Sequence, residues 1–372
     1  MKKIVVLIVD YKKNHQFFYE NLINKFSGEN TVDLIICNGL DFDEKLRYNA
    51  TLHVKTEKES LFSFMKLKKN LFAKSDLIIS EELYSFHFSV LLLVVRYGFK
   101  SIQVVHNANK FLNRKLEVNS RSFIAFVFFK IIKIRVKGIL VISQTVKEYI
   151  LKNKLFDNQV YYIPFNDTDL GYIAKDNSQG RIKFTIPGTV NSERRDYKMF
   201  LKVFLKIIKE YPSFELNLCL LGKIIKIDKE ERDLISEIQK LDFESISFWN
   251  EFIENEIFHK EVVKTSFLIG NININYTENN VKEVYGKSKE TGVLFLMLKY
   301  NKPTLFPKEY NYSELYENHI IPYANKEEDL YNCMVKLIKS PRELSKINNI
   351  KHNTYVNAEI NNIKTAFLSV KN

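Results

Sequence analysis

Cysteine is scarce in this chain: 372 residues hold only Cys37, Cys219 and Cys333. They lie far apart and are odd in number, which excludes a disulfide framework and a clustered zinc site and points to a reducing cytoplasm. Apolar runs long enough to cross a bilayer are also missing. The opening MKKIVVLIVDYKKNH has a basic start and an apolar stretch, but the stretch is short, meets Asp10 and has no small-residue cleavage site after it. It reads as a first buried strand rather than a leader. No groove-binding or base-stacking motif accompanies the basic residues, which argues against nucleic acid as a partner.

What the chain has in excess is positive charge, unevenly placed. The net charge is +12; residues 1–165 hold 26 Lys and Arg against 15 Asp and Glu, and the remainder 30 against 29. Arg96 to Lys154 carries 13 basic residues against only Glu117 and Glu148. So concentrated a patch suggests an anionic partner. Within it SFIAFVFFKIIKIRVK, Ser122 to Lys137, sets Lys130, Lys133 and Lys137 on one helical stripe with Phe, Ile and Val around the rest. That pattern suits an interfacial helix on an anionic membrane surface; a buried helix with one wet stripe has it too.

The length suits two domains. Short β-rich apolar runs alternate with helical patterns, first at 4–9, 32–37, 51–54, 77–80, 102–106, 139–143 and 160–164, then at 182–187, 215–221, 245–249, 266–270 and 303–306. Strands alternating with helices imply βαβ units and doubly wound parallel sheets. Residues 166–181 are polar and aperiodic, as a linker is. The expected class is α/β, with Rossmann-like domains over 1–165 and 182–350 facing a central cleft and a helix within 351–372 packing back on the first.

The most informative segment is IPGTVNSERRDYKMFL, Ile186 to Leu201. It reads as a buried strand, a turn at Gly188 and a helix whose first turn carries Arg194, Arg195 and Lys198. Free backbone N–H groups at a helix start and cations converging on it form a phosphate site; an ordinary βα unit with a basic helix start is the plain alternative. A second such segment is YGKSKETGVLFLMLKYNKPTLF, Tyr285 to Phe306, where Gly286 and Gly292 flank Lys287, Ser288, Lys289, Glu290 and Thr291 before a wholly apolar helix.

With these two segments, and with VVHNANKF (104–111), VISQTVKEYI (141–150) and YYIPFN (161–166) in the same order, the chain resembles the GT-B glycosyltransferases, in particular the retaining glycogen-synthase-like and family-four group. The resemblance implies a second domain that holds a nucleotide-sugar donor and a first domain that binds a glycan or lipid-linked glycan acceptor. It implies Arg194, Arg195 or Lys198 on the donor pyrophosphate, assisted by backbone near Gly188 and from Ser288 to Gly292, with Lys287, Glu290 and Thr291 beside them. It also places His106 against the donor sugar, although a histidine at a strand end is otherwise a structural hydrogen-bonding group. Many relatives carry paired glutamates at the positions that are Ser288 and Leu296 here; both are missing, and Glu290 is the candidate substitute for the ribose-binding carboxylate.

Glu254 falls where some relatives contact the nucleotide, or is a helix-start acid favoured by the dipole. Glu81 and Glu82 follow a strand and are candidate acceptor ligands, surface acids being the plainer reading. Asp41-Phe42-Asp43 and Asp167-Thr168-Asp169 spell DxD, yet neither follows a strand beside the nucleotide, so no metal is expected and the nucleotide-sugar is substrate rather than cofactor. Together these imply a cytoplasmic glycosyltransferase of surface polysaccharide synthesis, peripheral to the inner face of the cell membrane. Its alternatives are a nucleotide-sugar epimerase of the same architecture and a non-catalytic nucleotide-sugar-binding protein.

Overall fold

The computed structural model describes residues 1–9, 16–37, 49–81, 87–113, 120–163, 181–278, 280–340 and 352–368. The first half forms one parallel sheet from β1 (Lys2–Ile8), β2 (Asn30–Ile36), β3 (Thr51–Val54), β4 (Leu77–Ser80), β5 (Ser101–Val105), β6 (Gly138–Val141) and β7 (Gln159–Tyr162), in the order β3-β2-β1-β4-β5-β6-β7. Central strands of such a sheet are covered on both faces, so they need apolar side chains at successive positions. β1 supplies them: Ile4, Val6 and Ile8 enter one core, and Val5 and Leu7 the opposite one.

The second half repeats the arrangement. β8 (Ile182–Pro187), β9 (Val190–Asn191), β10 (Leu216–Lys226), β11 (Ile246–Trp249) and β12 (Phe267–Ile269) come first in the chain. The hairpin β13 (Asn275–Glu278) and β14 (Val281–Val284) follows, then β15 (Thr304–Pro307) and β16 (Ile320–Tyr323). The sheet runs β11-β10-β8-β12-β15-β16, all parallel, with β9 alongside β10. Its order reverses at β8, whose neighbours are β10 and β12, and the crevice at such a reversal is where open α/β sheets hold ligands.

Helix Gly292–Tyr300 is buried on nearly every face, which is why its sequence is apolar throughout. Asn301 ends it in the left-handed region (φ 50°), a helix stop that Pro303 reinforces. Helix His352–Leu368 lies on β7: Phe367 meets Tyr161 edge-on at 6.1 Å and Glu359 pairs with Lys147 at 2.5 Å. The hairpin β13–β14 and strand β16 escape the sequence reading, because TENNVKEV is polar and IIPY is too short to separate from the helical segments around it.

The end of β8 and the middle of β10 touch backbone to backbone. Gly188 (φ 95°) donates its N–H to the Leu221 carbonyl at 2.9 Å, and a Cβ on Gly222 would lie 2.1 Å from the Gly188 oxygen. Gly222→Ala should therefore destabilise the fold by ~2 kcal/mol, read as a lower urea midpoint. Gly28→Ala, with nothing within 4 Å of the new methyl, should stay within ~0.5 kcal/mol of the parent.

Candidate functional site

At the β8/β12 crevice stands Arg195, which is only 9% exposed. Its backbone forms an antiparallel bridge with Ile272, just after β12, and its Nη2 donates to the Pro187 carbonyl at 2.6 Å. Nη1 is buried with no acceptor among the described residues. A guanidinium N–H out of water and without an acceptor costs on the order of 1–3 kcal/mol, so the position favours any anion brought to it. Sequence places Arg194 and Arg195 in a helical first turn; in the structure they precede it. The helix is Tyr197–Glu210, and its start is capped by Asp196, whose carboxylate accepts from the Met199 N–H at 3.0 Å. The helix therefore contributes less to an anion site than the sequence suggests, and the arginines more.

Arg194 and Lys289 converge on one ring. The Arg194 guanidinium carbon is 5.1 Å and the Lys289 ammonium 4.9 Å from the Tyr276 centroid, and Arg194 Nε donates to the Tyr276 hydroxyl at 3.3 Å. The Tyr276 ring thus gathers two cations at one place. Tyr276 lies in the hairpin that the sequence hides, and Lys289 in the loop beside it, so sequence reasoning misses both roles. Lys198 is elsewhere: its ammonium pairs with Glu230 at 2.5 Å on the outer face, where Lys202 joins the same carboxylate at 2.9 Å. It does not converge with the arginines.

The loop before helix Gly292–Tyr300 is committed to its own structure. Ser288 is fully buried, accepting from the Val284 N–H at 2.8 Å and donating to Glu283 at 2.5 Å. Thr291 caps the helix by accepting from the Val293 N–H. Glu290 is buried too, accepting from the Tyr310 hydroxyl and from the Thr291 N–H at 2.9 Å, with the Ser143 and Thr145 hydroxyls of the first half near enough to favour its ionised form. Burial lifts its carboxyl to about 7. So enclosed, the carboxyl lies at the junction of the two halves. Lys287 and Gly292 remain exposed, with open space around Gly292. Glu254 is exposed ahead of helix Asn255–Val263 and makes no side-chain cap.

Across from this loop, β5 delivers His106, which is 6% exposed with its ring edge-on to Phe18 at 5.8 Å. The next residues dock directly on the loop. Asn107 bridges Lys289, and Ala108 donates its N–H to the Ser288 carbonyl at 2.8 Å. Glu283 accepts from the Lys110 N–H at 2.8 Å, so a carboxylate of the second half caps the short helix Ala108–Leu112 of the first. Glu81 is not a surface acid: it is 1% exposed at the end of β4, with its N–H on the Leu7 carbonyl. Glu82 and both DxD sequences lie outside the described residues. Among the described residues no three His, Cys, Asp or Glu gather as metal ligands would.

Of the basic stripe, Lys130 and Lys133 lie on helix Ser120–Arg135 with Lys130 exposed. Lys137 instead donates to the Ala366 carbonyl at 2.8 Å and sits 4.6 Å from the Phe367 centroid, against the last helix. Its ammonium is turned to that helix rather than along the stripe. No described helix is long and apolar enough to cross a membrane.

No protein-family model and no curated protein sequence matches the chain. Solved structures do resemble it. A glycosyltransferase from Rickettsia africae superposes with a TM-score of 0.59 at 12% identity, over 99% of this chain and 100% of that one. The chain has the GT-B fold. The Anabaena protein HepE, solved with UDP, gives 0.55 at 13% identity over 99% and 96% of the two chains. A UDP-GlcNAc 2-epimerase from Methanocaldococcus jannaschii gives 0.54 at 12% over 98% and 99%.

The Glu290 bridge has a pH signature. Its carboxyl takes up a proton more readily in the folded chain, from about 7 downward, than in the unfolded one, near 4.5. Stability contributed by this group is present at the acid end and is lost as pH rises through about 7. Urea midpoints measured between pH ~5 and ~7.5 should fall less in Glu290→Gln, which stays neutral and keeps an acceptor, than in the parent; equal slopes would remove the bridge from account.

Proposed function

We propose that this chain is a glycosyltransferase that moves a sugar from a nucleotide-sugar donor to a glycan or lipid-linked glycan of bacterial surface polysaccharide. The observation that carries it is the buried Arg195 guanidinium, its Nη1 without an acceptor among the described residues, at the strand-order reversal of the second sheet. When the bond from the anomeric carbon to the diphosphate breaks, negative charge grows on the leaving oxygens. Fixed cations at that point lower the barrier because they need no reorganisation. Arg195 takes the diphosphate, with Arg194 and Lys289 closing on it from the Tyr276 ring. Residues 182–350 form the donor domain in this reading and 1–165 the acceptor domain. His106 faces the junction from the acceptor side, beside the loop that carries Lys289. A lipid-linked acceptor would bring the enzyme to the inner face of the cell membrane.

The resemblance to proteins described as UDP-GlcNAc 2-epimerases keeps one rival open, since the same clamp would serve an enzyme that alters the donor sugar alone. A non-catalytic binder is the other. Acceptor-dependent release of the nucleoside diphosphate separates the transferase from both.

A thermal-shift screen with UDP, GDP, CMP and their sugars tests the site directly. A matching nucleotide at about 100 times its Kd should add ~2.7 kcal/mol of stability. Arg195→Ala should weaken that ligand about 10- to 100-fold and abolish turnover while circular dichroism stays native. Lys198→Ala, already paired with Glu230, should bind as the parent does. Unchanged affinity in Arg195→Ala would sink the assignment.

A further inference from the structure

Three helices lie side by side on one face of the first sheet: Leu61–Leu67, Phe88–Tyr97 and Ser120–Arg135. Their inner sides share a single core, through Phe64, Val94 and Phe128 among others. Their outer sides are what a water-facing surface is not. Phe88, Leu92, Val95 and Phe99 recur at helical spacing along and just past the middle helix, and Phe99 is 68% exposed. Ile134 on the third helix is 73% exposed, and Phe62 on the first 50%. Monomeric soluble surfaces scatter such residues singly, and a contiguous set marks a binding face.

The charge on the same helices selects the partner. None of the three contains an aspartate or glutamate, while Lys66, Arg96, Lys130, Lys133 and Arg135 are spread across them. Arg135 also ties the second and third helices together, its Nη2 donating to the Val95 carbonyl at 2.7 Å. A second copy of this chain would set cation against cation here, since none of the three helices carries a carboxylate. Aromatic and aliphatic side chains among basic residues, with no acids, match the interface of an anionic bilayer, where apolar groups enter the headgroup boundary and lysine and arginine meet lipid phosphates.

We infer that this three-helix face docks on an anionic lipid surface. The helices lie flat on the sheet, and none spans the bilayer. The inference rests on the membrane location proposed above, but it assigns the contact to residues that touch neither Arg195 nor the loop at Tyr285–Gly292. It extends well beyond the lysine stripe: most of the apolar contact comes from the middle helix, and Lys137 is replaced by Arg96.

Vesicle co-sedimentation of the full chain tests it. The parent should sediment with vesicles containing phosphatidylglycerol and remain in solution with pure phosphatidylcholine. The double change Phe99→Glu with Ile134→Glu should cut partitioning at least ~10-fold. Arg96→Glu with Lys130→Glu should remove the preference for anionic lipid, and Leu241→Glu, at an exposed site on the second half, should change nothing. Native circular dichroism and an unaltered thermal shift with the matching nucleotide show that the variants are folded. Because nucleotide binding is read separately, loss of the donor site and loss of the membrane face are distinguishable results. Equal sedimentation with neutral vesicles, parental binding by Phe99→Glu with Ile134→Glu, or a parent that is dimeric until that double change makes it monomeric would each overturn the inference.

Discussion

The loop after β5 and the loop before helix Gly292–Tyr300 are one joint, and the rest of the molecule depends on it. Each half presents backbone groups there that the half alone cannot satisfy. The first N–H groups of helix Ala108–Leu112 have no partners within their own helix, and the second half answers them with the Ser288 carbonyl and the Glu283 carboxylate. Burial raises the Glu283 carboxyl above its usual range, and hydrogen bonds from the Ser288 hydroxyl and the Lys110 N–H hold it back. The Tyr162 and Tyr316 hydroxyls, 2.9 Å apart, cross the same boundary. The two sheets thus share a hydrogen-bonded seam as well as a continuous apolar core in which Ile4 and Val293 belong to one cluster.

That seam sets the position of the anion site. Lys289 stands one residue from Ser288 and one from Glu290, both of which are buried against the first half. Its ammonium reaches the Tyr276 ring because its neighbours are fixed, and it bridges Asn107 through its backbone. A separation of the halves would release the loop that carries Lys289 from its contacts with Asn107 and Ala108. The cation at the Tyr276 ring and the joint between the halves therefore share one loop.

Much of this architecture is legible in the sequence, because parallel sheets impose a simple demand. IVVLI and LCLL are apolar on successive residues, and only a strand covered on both faces needs that. The GT-B resemblance, drawn from five segments in order, agrees with the fold. The site is less legible, for a physical reason. A residue type announces what it can do, but not whether a neighbour already uses it. Glu290 and Arg195 look alike as polar residues beside glycine turns. Tyr310, Ser143 and Thr145 approach the first from distant parts of the chain, and the lack of an acceptor for the second among the described residues is equally a property of three dimensions. Glu81 shows the opposite error: an acid in a polar-looking segment is buried because β4 ends under the Leu7 carbonyl.

The contrast between Arg195 and Lys198 follows from the same logic and decides which cation matters. Lys198 is three residues further along, on the exposed side of helix Tyr197–Glu210, where Glu230 of the neighbouring helix neutralises it in water. An exposed pair of that kind contributes little and moves readily. Arg195 has lost its water, retains one backbone acceptor, and stands where β8 and β12 part. A cation so placed has already met the cost of desolvation in folding, and in the proposed function it would meet the phosphate preoriented. A basic sequence run marks where charge is plentiful; only the fold decides which member of the run is taken into the interior.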